Sequence, residues 1–158
     1  MQHGWISVET IKASKTITLK PFSSRSAKVV KITSPAFKPS QYLLLENRTR
    51  KGFDFHLPGE GLLVWRVDEK LDQNGVESPA LLLIQADGKH NLEDPEDWNE
   101  GDAGDPFPGK SKTTKLGETG KISTSFGRKK SGITLTSIKR NADTGVITLK
   151  VTIRKKSS

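Results

Sequence analysis

The feature that most constrains the fold of this chain is a period of two. In TITLK at residues 16–20 apolar side chains alternate with polar ones, and the same rhythm returns in KVVKI at 28–32, GITLTSI at 132–138 and VITLKVTI at 146–153. Successive side chains on a strand point to opposite faces, so these runs read as strands with one buried face. QYLLLE at 41–46, GLLVWRV at 61–67 and PALLLIQ at 79–85 are denser in apolar residues and read as central strands covered on both faces. Turn chemistry punctuates the runs at Ser34-Pro35, Lys38-Pro39, Leu57-Pro58-Gly59, Asn74-Gly75 and Asp143-Thr144-Gly145, the last of which predicts a hairpin between its flanking strands. No stretch of ten residues or more keeps apolar spacings of three and four between caps, so any helix is short. Seven to nine strands joined by turns predict an all-β chain, an antiparallel β-sandwich with a long acidic loop. The 158 residues fit a single domain over 1–158, ordered over about 3–153 and ending in a frayed basic tail at 154–158.

An apolar fraction of 32% makes the core an economical one. No run approaches the roughly 18 consecutive apolar residues that a membrane-spanning helix needs, so no membrane span is expected. The opening MQHGWISVET lacks the charged-then-apolar plan of a secretory signal, so export of this protein implies a mature form or a fragment. There are no cysteines, which removes disulfides, thiol catalysis and cysteine-ligated zinc. The net charge of +8 is an average over two unlike parts: residues 85–105 carry −7 and the remainder +15. Residues 110–158 hold 13 Lys or Arg against Glu118 and Asp143, a balance that suits an anionic surface. A solvated basic face is the simpler reading. No nucleic acid is expected as a partner, since no aromatic residues interleave with the basic ones and no nucleic-acid motif is present.

The strongest chemical signal is QADGKHNLEDPEDWNEGDAGDPFPG, residues 85–109, with eight carboxylates and Lys89 as its single cation. Its glycines and prolines predict neither helix nor strand. Calcium takes about six to eight oxygen ligands from carboxylates, Asn side chains and carbonyls, so its loops space Asp and Asn closely and use glycine for tight turns. Asp87, Asn91, Asp94, Asn99, Asp102 and Asp105 meet that description. Their spacing is not that of an EF-hand loop, and a solvated acidic loop or one paired with basic strands remains an alternative. Magnesium fits less well, because its sites use fewer protein ligands and more water.

Motifs for catalysis are absent. His3, His56 and His90 stand in none of the paired zinc-binding spacings, and HExxH, a nucleophile elbow, GxGxxG and the P-loop pattern do not occur. His90 reads as a surface histidine in a polar turn. Carboxylate pairs in the acidic loop acting as acid and base, as in glycosidases, are a further alternative that the broken loop disfavours. Glu46 and Arg48, two apart on one strand face, are placed to share a partner. Trp65, inside its apolar run, reads as a core residue.

The ordered blocks LLLENR, GFD, LPGEGLLVWRVD, IQADG, GDAGDPFPG and SGITLTSI together resemble the region downstream of the catalytic domain in secreted bacterial zinc metallopeptidases of the immune inhibitor A type. The opening His3-Gly4-Trp5-Ile6 is similar to the junction where the family's protease core ends, and the resemblance covers about residues 3–153. It implies a secreted, noncatalytic accessory domain of a protein-degrading enzyme, with calcium binding, whose partner is an upstream protease domain in the same polypeptide or in trans. Matching positions are Glu46, Asn47 and Arg48, then Asp54, Asp68, Asp87, Asp102 and Asp105. Two departures stand out. The family's extended HExxH is missing, so zinc belongs to a catalytic domain this chain does not contain and the chain alone is not expected to cut peptides. Where family members often carry histidine, Arg66 is present. A stand-alone secreted module binding glycans or surfaces, through Trp5, Trp98, Phe53 or Phe55, is the alternative reading.

Overall fold

A computed structural model describes residues 6–71, 80–94, 96, 98 and 100–155, and the side chain of Phe53 lies outside that description. Among the described residues are eight strands: β1 (Ser7–Ile11), β2 (Lys15–Leu19), β3 (Lys28–Ile32), β4 (Gln41–Arg48), β5 (Gly61–Asp68), β6 (Leu81–Leu83), β7 (Ile133–Arg140) and β8 (Ile147–Ile153). Among the described residues helix is confined to two 3₁₀ turns, Gly52–His56 and Asn91–Glu93. The chain is therefore all-β.

The strands form two sheets, one ordered β1-β3-β4-β5-β6 and one ordered β2-β8-β7. Alternation decides what each strand buries. In β8 the odd residues Ile147, Leu149, Val151 and Ile153 are buried while the residues between them are exposed, and β2 repeats the pattern with Ile17 and Leu19. Leu43 and Leu45 of β4, Leu62 and Val64 of β5, and Val30 and Ile32 of β3 join them, so side chains from both sheets share one core. Burying a Leu, Ile or Val contributes about 1.5–3 kcal/mol each. β7 and β8 pair antiparallel around the turn at residues 141–146, as the Asp143-Thr144-Gly145 signal predicts.

Several expectations are corrected. β1 falls in a stretch without clean alternation, because it is an edge strand that sends only Ile11 into the core and leaves Val8 60% exposed. It pairs with β3 in parallel, so the first sheet is mixed. Parallel neighbours need a crossover, and here β2, hydrogen-bonded into the other sheet, provides it. The apolar run at 79–85 yields only the three-residue edge strand β6, with Leu81 52% exposed, instead of a central strand. Trp65 lies outside the core, on the face of β5 opposite Leu62 and Val64. The tail is held as far as Arg154: its N–H donates to the Gly132 carbonyl (2.8 Å), and its guanidinium pairs with Glu118 at 2.6 Å.

Asn47 links the two sheets. Fully buried in β4, it donates through Nδ2 to the carbonyls of Leu19 in β2 (2.9 Å) and Gly145 in the β7–β8 turn (2.8 Å). Between β6 and β7 the long segment is tied to the strands by several hydrogen bonds, two sets of which form paired bridges. Leu62 and Phe107 exchange backbone hydrogen bonds of 2.8 Å in both directions, and Leu116 and Leu135 do the same at 2.9 and 2.8 Å. With Phe107 fully buried, the end of the acidic segment is fastened to β5.

Candidate metal centre

Two hydrogen bonds to the Ala86 backbone assemble the site. Beyond β6 the chain runs straight into residues 84–87, where the Ala86 N–H donates to the Asp105 carbonyl (2.9 Å) and the Thr113 hydroxyl to the Ala86 carbonyl (2.8 Å). Asp105 stands two residues before the anchored Phe107, so these contacts lay Asp87 beside the 102–105 turn. That turn closes on itself: the Asp102 N–H donates to Asp105 Oδ2 (2.7 Å) and the Gly104 N–H to Asp102 Oδ1. Carboxylate oxygens of Asp87, Asp102 and Asp105 consequently lie within 4.8 Å of one another.

Glycine at 104 leaves room for the carboxylates where they stand, and a larger residue would displace them. A Cβ there would sit 2.7 Å from Asp87 Oδ2 and 2.8 Å from Asp102 Oδ1, closer than carbon and oxygen can approach.

Neutralisation of the cluster is incomplete. Lys89 Nζ lies 2.9 Å from Asp87 Oδ2 and 2.9 Å from Asp102 Oδ2, and the Lys89 N–H donates to Asp87 Oδ1 at 3.0 Å. Asp105 is only 3% exposed, and its Oδ1 has no hydrogen-bond partner. Burial, followed by the negative charges of Asp102 and Asp87, pushes the Asp105 carboxyl above its ordinary value, against the hydrogen bond from Asp102 N–H. Lys89 and then the Gly104 N–H hold Asp102 below its own. Two carboxylates at about 4 Å repel by about 4 kcal/mol at an effective dielectric of 20, more than the ~1 kcal/mol of a net hydrogen bond. One ammonium against three carboxylates leaves that repulsion unbalanced. The donors are hard oxygens, which suit a hard cation and offer no nitrogen or sulfur for zinc.

Not every expected ligand comes to the cluster. Asp94 is exposed and accepts the Glu96 N–H (2.9 Å) in a local turn, outside the carboxylate group. Asn91 opens the 3₁₀ turn with its Oδ1 buried and unpartnered, and Asn99 lies outside the described residues. His90, in a left-handed conformation (φ 64°), contacts Glu93 Oε1 and the Lys121 carbonyl at 3.2 Å each.

Glu46 and Arg48, on the outer face of β4, form a separate network with Trp65 and Asp54. Glu46 accepts from Trp65 Nε1 (3.0 Å) and from Arg48 Nε (3.2 Å), and Arg48 reaches Asp54 at 3.0 Å. Glu46 and Arg48 therefore pair directly with each other, and Asp54 is the carboxylate that extends the pair. Asp68, 6% exposed, accepts from Ser40 (2.7 Å), Gln41 (2.8 Å) and the Lys70 N–H (3.2 Å), and so ties the start of β4 to the end of β5. Arg66, on the opposite face from Trp65, donates to the Ser125 carbonyl (2.8 Å), and burial draws its pKa down against the pull of Glu93. Sequence reading did not single out the groove of about 1430 Å³ that these elements line, with Trp65, Leu83, Leu92, Asp102 and Asp105 among its lining residues. Its only signal was the surplus of apolar residues on the outer positions of β5 and β6.

No protein-family model, no curated protein and no solved structure matches the chain.

Proposed function

We propose that this chain is a noncatalytic β-sandwich domain whose two sheets stabilise or orient a secreted zinc metallopeptidase of the immune inhibitor A type, with calcium as a structural ion at Asp87, Asp102 and Asp105. The observation that carries the cation site is the buried, unpartnered Oδ1 of Asp105 inside a triad of carboxylates. The ordered blocks that resemble the family carry the assignment to a peptidase, and the missing HExxH makes the domain an accessory to catalysis. The protease domain it serves is in the same polypeptide or acts in trans. The exposed Lys110, Lys112, Lys115, Lys121, Lys129 and Lys130 suit contact with an anionic surface.

A cation that draws residues 87 and 102–105 together shields the segment between them from proteolysis. Limited digestion of metal-stripped protein is therefore expected to cut within residues 88–101 several times faster in chelator than in millimolar calcium. Equal cutting rates would remove calcium from the proposal. An open reading frame running upstream of Met1 into an HExxH supports the peptidase assignment, and a stop codon immediately before Met1 restricts the partner to one acting in trans.

A second reading, a module that binds glycans or surfaces, draws on Trp98, which is 96% exposed. Among the described residues no other ring stacks beside it. Polymer pull-down that disappears in Trp98→Ala favours this reading over the first.

A further inference from the structure

We infer that Lys89 sets the affinity and selectivity of the carboxylate site, acting as a tethered monovalent cation that a divalent ion must displace. This inference rests on the cation-binding reading above and specifies what entry of the ion requires.

Lys89 is held to the site at both ends. Gly88, in a left-handed conformation (φ +66°), reverses the chain directly after Asp87, so that the Lys89 N–H meets Asp87 Oδ1 while the ammonium meets Asp87 Oδ2 and Asp102 Oδ2. The ammonium engages two of the three carboxylates and leaves Asp105 Oδ1, buried and unpartnered, unserved. A divalent cation has the charge that the ammonium lacks and takes oxygens from all three residues at once. The Lys89 side chain is 56% exposed, so its stem can swing into water with little loss of packing.

Two consequences follow from charge. A monovalent ion brings no more charge than the ammonium already in place and lacks its covalent tether, so sodium and potassium do not compete effectively. A divalent ion gains one unit of charge in the exchange. Because only the state with Lys89 withdrawn binds the ion, apparent affinity falls by the fraction of molecules in that state. The same ammonium keeps the metal-free loop folded.

The test is calorimetric titration of calcium into metal-stripped wild type, Lys89→Met and Lys89→Arg, with the melting temperature of each metal-free protein measured beside it. Lys89→Met is expected to bind calcium at least tenfold more tightly and to melt lower without metal. Lys89→Arg, which keeps the charge, is expected to stay within a few-fold of wild type on both counts. In wild type, the ammonium hydrogens of Lys89 should be detectable by NMR without metal and exchange away at saturating calcium. Equal or weaker binding by Lys89→Met overturns the role of Lys89 and leaves the cation site standing. Absence of calcium binding in all three proteins overturns both.

Discussion

At the scale of single residues, buried polar side chains join elements that hydrophobic contact alone would leave free to slide. Asn47 and Asp68 do this in different ways: one donates to a carbonyl of β2 in the opposite sheet and one in the β7–β8 turn, and the other gathers three donors at the β4–β5 end. For Asp68, burial by itself would raise the carboxyl. The hydrogen bonds from Ser40, Gln41 and Lys70, with help from Lys38, outweigh it and hold the group below its ordinary value. A depressed carboxyl contributes stability that is present above the unfolded value near pH ~3.9 and is lost as pH falls through the folded value. Asp68→Asn is accordingly expected to lower stability by about 1–2 kcal/mol at pH 7, as measured by denaturant unfolding. The gap between variant and wild type should narrow below about pH 4 as Asp68 itself takes up a proton. A gap that is constant from pH 7 to pH 3 would show that the charge of Asp68 is immaterial.

At the scale of elements, the acidic segment takes its shape from strand β5. Gly61, at φ +146°, begins that strand where a Cβ would stand 2.5 Å from the Phe107 carbonyl oxygen, beside the paired backbone of Leu62 and Phe107. Gly61→Ala therefore strains the backbone and forces the bridge apart, at an expected cost of about 2–4 kcal/mol in unfolding free energy. Amide hydrogen exchange at Leu62 and Phe107 should rise with it. An alanine variant as stable as wild type, with those amides still protected, would show that the segment is anchored elsewhere. Where side chains alternate, the elements were legible in the sequence: β2 and β8 carry a clean period of two because water lies on one face and the core on the other, whereas β3 also buries Val29 and β7 slips register between Thr136 and Lys139, so that its core side chains are Ile133, Leu135 and Ile138. β1 was not legible. An edge strand with one buried side chain writes almost no pattern, and its parallel pairing with β3 depends on a partner brought back by the crossover. Trp65 was misplaced because an apolar run does not reveal which of its two faces meets the core.

At the scale of the whole molecule, charge is segregated: residues 85–105 hold −7 in a chain otherwise at +15. Legibility of the site followed the same division. Spacing of Asp and Gly pointed to the segment, and Asp87, Asp102 and Asp105 were among the residues it named. The ordered blocks singled out these three among the six, and the Ala86–Asp105 contact, a pairing across 19 positions that no local spacing encodes, is what brings them together. Lys89 was visible only as the lone cation of the segment, since its role depends on where Gly88 turns the chain.

The central claim, that the triad is a structural calcium site, is tested most directly by thermal unfolding of metal-stripped wild type and Asp105→Asn, each in chelator and in excess calcium. At about 100 times its dissociation constant a ligand stabilises the folded state by about 2.7 kcal/mol. In a chain of this length that corresponds to a rise in melting temperature of about 5–10 °C. Wild type is predicted to show that rise and Asp105→Asn to lose most of it; superimposed wild-type melting curves in the two buffers would contradict the account.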